Sequence, residues 1–125
     1  MTWPINASKN YRLTCDIPVT FAVTATIQFC LGGPGAPTSY SLDAYGLIGA
    51  AAVYADINTL AQTSWGTKTT ASGAVGAATE MIHVNAAIQN GSTASGTALT
   101  LQTAANGTNG ITVLANAACT LEQVN

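Results

Sequence analysis

Met81-Ile82-His83-Val84-Asn85-Ala86-Ala87-Ile88-Gln89 puts Ile82, Val84, Ala86 and Ile88 on one side of an extended chain, and the pair Asn90-Gly91 follows. Successive side chains of a β-strand point to opposite faces, so this alternation is that of a strand with one buried side. Asn-Gly supplies the positive φ angles of a tight hairpin, and Asn106-Gly107 and Asn109-Gly110 repeat the signal downstream. Between and after these turns, residues 97–103 direct Leu99 and Leu101 inward, and residues 111–114 and 118–124 read as two more strands. The C-terminal third is antiparallel β.

The same region lacks formal charge. From 81 to 121, 41 consecutive residues carry none, and His83 is the one histidine among them. Soluble domains place about a quarter of their residues in Asp, Glu, Lys and Arg; here the figure is 6%. So little charge leaves a surface poorly suited to standing alone, and predicts that much of it is covered by copies of the chain or by a larger assembly.

Upstream, residues 19–31 carry the clearest alternation: Val19, Phe21, Val23, Ala25, Ile27, Phe29 and Leu31 share one face. Thirteen residues is long for a strand, so a bend or bulge is expected near residues 22–25. The run Gly32-Gly33-Pro34-Gly35-Ala36-Pro37 must turn. Residues 11–15, 39–42, 47–58 and 64–70 are further strand candidates, with Lys68 marking the last as an edge, and residues 71–78 read as a loop. About eight strands at spacings of roughly 8–14 residues predict an antiparallel β-sandwich, jelly-roll-like, with no helix. Residues 1–9, without periodicity, are expected to form an N-terminal arm ahead of a single domain over residues 10–125.

Bulk properties narrow the function. A chain of 125 residues and 12.6 kDa fits one domain. Net charge is −2, and Lys9, Arg12 and Lys68 are the only cations, which disfavours nucleic acid as a partner. The longest apolar run, residues 47–55, falls far short of the ~20 residues a membrane helix needs. Met1-Thr2-Trp3-Pro4 does not read as a secretory signal, so synthesis and folding in a cytoplasm are expected. Cys15, Cys30 and Cys119 have no C-x-x-C spacing, and with one histidine they do not suggest zinc. They are read as buried reduced thiols, with an interchain bridge, or one pair plus a leftover thiol, as the alternatives.

Reactive constellations are hard to find. His83 lies three residues from Glu80, which on a strand puts the two on opposite faces, so His83 is read as a polar-face or interface residue. Asp16, Asp43, Asp56, Glu80 and Glu122 are isolated in sequence, and neither a G-x-S-x-G elbow nor a phosphate loop occurs. Asn6-Ala7-Ser8, Asn90-Gly91-Ser92 and Asn106-Gly107-Thr108 match the glycosylation acceptor, which carries little weight in a chain this rich in Asn and Thr. The aromatics are read as core or subunit-interface residues, with Trp3, Tyr11 and Trp65 as the candidate interface set. No catalytic residue, cofactor or metal is expected.

The order of pieces resembles a small β module of tailed bacteriophages. Asn10-Tyr11-Arg12-Leu13, then Thr26-Ile27-Gln28-Phe29-Cys30-Leu31, then Gly33-Pro34-Gly35-Ala36-Pro37-Thr38 follow its opening, in which a tyrosine-arginine strand precedes a strand ending in Gly-Pro-Ala turns. Residues 82–88, 91–101, Thr112-Val113-Leu114 and 119–124 follow its close. The resemblance implies a jelly-roll-type sandwich that forms a homotrimer on virions, as a head decoration protein or at the end of a head or tail fibre. With few residues ahead of the module and no shaft, it favours a capsid decoration (cement) protein. Such a protein would be made in the host cytoplasm, would sit on the capsid surface against the major capsid protein, and would have no membrane or nucleic-acid partner. The alternative it leaves is a receptor- or glycan-binding fibre tip, and Trp3 is the expected anchor of the arm on the coat. Phe29 and Leu99 are expected in the core. Leu99→Asp should abolish soluble expression by burying an unpaired charge, and normal expression of that variant would mean the strand register is off by one.

Overall fold

The computed structural model describes residues 1–21, 26–48, 53–70, 79–92, 98–106 and 110–125. Its strands are β1 (Thr2–Pro4), β2 (Asn10–Phe21), β3 (Thr26–Gly32), β4 (Ser39–Ile48), β5 (Val53–Gln62), β6 (Thr69–Thr70), β7 (Thr79–Gln89), β8 (Ala98–Asn106), β9 (Ile111–Val113) and β10 (Ala118–Gln123). All pairings are antiparallel, and no helix occurs among the described residues. One sheet has the order β1-β8-β3-β6; the other runs β10-β2-β7-β4-β5, with β9 also on β2. The chain changes sheet at every connection except β4 to β5 and β9 to β10. Neighbours in sequence therefore lie mostly in opposite layers, and the inner faces of both sheets close on one core.

That core follows the alternation read from the sequence. Ile82, Val84, Ala86 and Ile88 of β7 are buried, as are Ile27, Phe29 and Leu31 of β3 and Leu99 and Leu101 of β8. β2 adds Tyr11, Leu13, Cys15, Ile17 and Val19, and β4 adds Tyr40, Leu42 and Ala44, all in one cluster. Phe29 and Leu99 have no exposed surface. Each such side chain contributes about 1.5–3 kcal/mol of transfer free energy.

Several expectations are corrected. Residues 19–31 are not one strand: their two halves fall in β2 and β3, in different sheets, and the expected bend at residues 22–25 lies outside the described residues. Alternation cannot detect such a break, because both halves point their apolar side at the same core. Residues 47–58 likewise divide between β4 and β5, which pair with each other up to Ile48 and Val53. Residues 64–70 form a turn with only Thr69–Thr70 in a strand. The expected loop over 71–78 and the turns at Asn106-Gly107 and Asn109-Gly110 involve residues outside those described.

Asn90-Gly91 does not close a hairpin, since β7 and β8 belong to different sheets. Asn90 is instead a buried tie. Its amide N donates to the Lys9 carbonyl at 2.9 Å, its Nδ2 to the Asn6 carbonyl at 2.8 Å, and its Oδ1 accepts from Gly91 N at 3.1 Å. Gly91 is required by close approach, because a Cβ there would collide with the Ala36 carbonyl oxygen.

These bonds also correct the expected arm at residues 1–9. Thr2–Pro4 pairs with β8, Ile5 is in the core, and Asn6 N donates to the Tyr11 hydroxyl at 2.7 Å. Deleting the segment removes a strand and a core side chain, so it is part of the domain.

Pro18 sits inside β2 and is buried. β10 pairs with residues 11–16 of β2 and β9 with residues 19–21, on the edge opposite β7. The Pro18 carbonyl accepts from Leu114 N at 2.9 Å on that edge, so the missing N–H falls where β9 gives way to β10 and no ladder bond is lost.

The cysteine expectation is corrected too. The register sets Cys15 opposite Cys119 with Cα atoms 4.1 Å apart, and the two form a disulfide, leaving Cys30 as a buried free thiol. The bond joins residues 104 positions apart. In the chain-entropy account, closing a loop of that length restricts the unfolded chain by about 4.7 kcal/mol, and loss of a native disulfide in a small domain costs about 2–5 kcal/mol. A Cys15→Ala/Cys119→Ala variant is expected to lose stability in that range in urea titration. An unchanged midpoint would show that the bond does not constrain the chain.

Candidate functional site

The two sheets present unlike outer faces. On the six-stranded sheet, the residues alternating with the core are Arg12, Thr14 and Asp16 on β2, His83, Asn85 and Ala87 on β7, Ser41, Asp43 and Tyr45 on β4, and Thr120 and Glu122 on β10. The registers line them up across strands: Glu122, Arg12, Ala87 and Ser41 form one row, and Thr120, Thr14, Asn85 and Asp43 the next. Asp16, His83 and Tyr45 form a third. Four of the eight formally charged side chains, Arg12, Asp16, Asp43 and Glu122, therefore share this face.

Within the third row, His83 Nδ1 lies 2.6 Å from Asp16 Oδ1, and the imidazole stacks on Tyr45 with ring centroids 5.2 Å apart. No local pattern signals this pair, because the partners are 67 positions apart and meet only through the β2–β7 register. Both side chains are about half exposed, at 42% and 59%, so solvent screens the interaction. His83 keeps the polar-face place read from the sequence, on the side opposite the core.

The four-stranded sheet is different. Leu99 and Leu101 of β8 and Ile27, Phe29 and Leu31 of β3 point inward. Thr100, Gln102 and Ala104 of β8 and Gln28, Cys30 and Gly32 of β3 take the other face, beside Thr2 and Pro4 of β1. Gln102 stands opposite Cys30, whose Sγ lies 3.5 Å from Gln102 Oε1. Among the described residues the one charged side chain here is Lys68, at a hollow of about 200 Å³ that it lines with Gln28, Cys30 and Gln102. Burial pushes the Cys30 thiol pKa up, and the nearby Lys68 ammonium only partly offsets this, so Cys30 is a poor nucleophile at neutral pH.

The three aromatics singled out from the sequence are not gathered into one surface. Trp3, on β1 opposite Leu99, is partly buried against the core. Tyr11 is only 5% exposed, so its ring packs within its own chain. Trp65 lies in the turn after β5, where it stacks on Tyr40 at 5.2 Å and donates from Nε1 to the Pro34 carbonyl at 3.3 Å. It also covers Gly33, at which a Cβ would approach the indole to 2.7 Å. These rings hold loops to the core. Among the described residues, no three His, Cys, Asp or Glu side chains gather as a metal site, and no helix is long and apolar enough to cross a membrane.

Comparison of the chain with protein-family models, with curated proteins and with solved structures gives no match in any of the three. The two sheet faces are therefore the features that bear on function. For the exposed pair on the six-stranded sheet, His83→Gln is expected to change the unfolding free energy by less than about 1 kcal/mol, read from denaturant midpoints. A larger loss would give the pair a structural weight its exposure does not suggest.

Proposed function

We propose that this chain is a structural subunit of a bacteriophage virion, a capsid decoration protein that trimerises on the shell and bridges subunits of the major capsid protein. The observation that carries the reading is the outer face of the four-stranded sheet, built from Thr, Gln, Ala, Gly and a buried Cys, with Lys68 its one charged side chain among the described residues. Neutral side chains let a second sheet approach without desolvating ions, which would cost several kcal/mol for each buried charge. Apolar surface removed from water contributes about 25 cal/mol per Å², and repetition over a shell multiplies a modest contact.

Two further features support the proposal. The opening segments of the phage resemblance fall on β2, β3 and the turn after β3, and two antiparallel sheets around one core are consistent with a sandwich. The Cys15–Cys119 bond suits a particle that leaves a reducing cytoplasm, since disulfides persist in oxidising surroundings. The mechanism is burial of surface, with no bond made or broken in a substrate. The second reading, a fibre-tip domain for a receptor or glycan, draws on the opposite sheet, where a furrow described below crosses the polar rows.

Light scattering on the purified chain is expected to give a trimer that binds shells lacking it and raises their disruption temperature. Gln102→Arg, at an exposed position in the middle of the neutral face, should return the chain to monomers that keep the parent's far-UV circular dichroism spectrum. A parent chain that is monomeric at all concentrations would overturn the proposal.

A further inference from the structure

We infer that the outer face of the six-stranded sheet carries a binding furrow for a neutral oligosaccharide. The furrow exists because β7 bears Ala87 where its neighbours bear long or polar side chains: Ala87 lies in register between Arg12 of β2 and Ser41 of β4. The missing bulk leaves two adjoining depressions that share Arg12, Ser41 and Ala87. One, of about 310 Å³, is also lined by Asp43, Leu60 and Asn85. The other, of about 280 Å³, continues past Gln89 and Val124 toward the chain's end. Ligand sites of small molecules run from about 300 to 1,000 Å³, and each depression is near the lower end of that range.

Its lining is apolar below and polar at the sides. Ala87 forms the floor, and Leu60, 64% exposed, forms part of one wall. Leu60 stands at a β-bulge: Tyr40 pairs with Gln62 and Leu42 with Thr59, so Leu60 and Ala61 together oppose Ser41. Ala61 takes φ +52°, a left-handed conformation that costs a non-glycine residue about 1–2 kcal/mol. Bulges are frequent beside functional sites, where they re-aim side chains. The amide freed by this one donates to Ser41 Oγ at 3.3 Å, which leaves the Ser41 hydroxyl hydrogen to donate elsewhere. Asn85 Nδ2 reaches the Tyr45 hydroxyl at 3.5 Å, which orients its amide.

The chemistry of the walls selects among ligand classes. Arg12 offers a planar donor fork, Asp43 a carboxylate, and Ser41, Asn85 and Gln89 both donors and acceptors. Vicinal hydroxyls meet such a mixture with acceptors and donors of their own, and the C–H face of a sugar ring suits an Ala and Leu surface. Nucleic acid and sulfated polymers are disfavoured, because Arg12 is the only cation of the lining among the described residues, with Glu122 beside it in its own row and Asp43 in the next. A peptide adding as a strand needs a free sheet edge. The furrow crosses β2, β7 and β4, each already hydrogen-bonded on both sides, so recognition falls to side chains alone. These side chains stand on central strands, which holds them in place before a ligand arrives.

The inference is independent of assembly through the other sheet. Its test is titration of the isotopically labelled full chain with maltohexaose, cellohexaose and chitohexaose, followed by amide NMR, with a heparin hexasaccharide as the polyanionic probe. Saturable shifts at Arg12, Ser41, Asp43, Asn85 and Ala87 with at least one neutral sugar, and none with heparin, are expected. Ala87→Arg should fill the furrow and remove the shifts, and Asn85→Ala should weaken binding about tenfold, some 1.4 kcal/mol. The second variant keeps the test decisive if the first fails to fold. No saturable shift with any neutral sugar, shifts confined to other residues, preference for heparin, or unchanged binding by the variants would each overturn the inference. Light scattering on the same sample separates this result from the state of assembly.

Discussion

The register of β7 between β2 and β4 is the constraint on which the rest of the molecule depends. β7 pairs along its whole length with β2, from Thr79 to Gln89, and along most of it with β4. A slip of one residue would turn Ile82, Val84, Ala86 and Ile88 to solvent and bring His83 and Asn85 into the core. The same register aligns the polar rows on the outside, sets Asp16 against His83, and leaves Ala87 between Arg12 and Ser41. Core and surface are two readings of one pairing, and the large cost of burying a polar group unpaired is what holds that pairing in place.

Around this centre the chain is tied at its ends. Asn90 fastens the first residues to the end of β7, Val124 N donates to the Asn10 carbonyl at 2.8 Å, and the disulfide fixes β10 to β2. A domain with so few charges and many small side chains gains from such ties, because Ala and Thr bury less apolar area than Leu or Phe. The division of charge between the two outer faces follows from the same economy of ions. Four of the eight charged side chains lie on the outer face of one sheet, while the other carries Lys68 alone among the described residues.

Alternation and burial agreed wherever a strand has one face in the core, as at Ile82 to Ile88, Leu99 and Leu101. The failures have a common cause. The 19–31 run, the 47–58 run and Asn90-Gly91 look local in sequence, yet each lies where the chain leaves one strand for another, and in two of the three it also changes layer. A periodic pattern reports which side faces apolar surroundings and is silent about which sheet supplies them. Tyr11, expected at an interface, satisfies its hydroxyl within the chain through Asn6 N, a partner five positions away that no residue preference signals.

Composition and alternation by themselves determined that this chain is antiparallel β, that Ile82, Val84, Ala86, Ile88, Leu99 and Leu101 face the core, and that the chain is poor in charge, because these follow from the periodicity and polarity of single residues. Which strands are neighbours, that Cys15 meets Cys119, that Asp16 meets His83, and that a furrow opens over Ala87 were decided only by the tertiary structure. Each of those depends on register between strands far apart in sequence, and register comes from the joint burial of both sheets in one core.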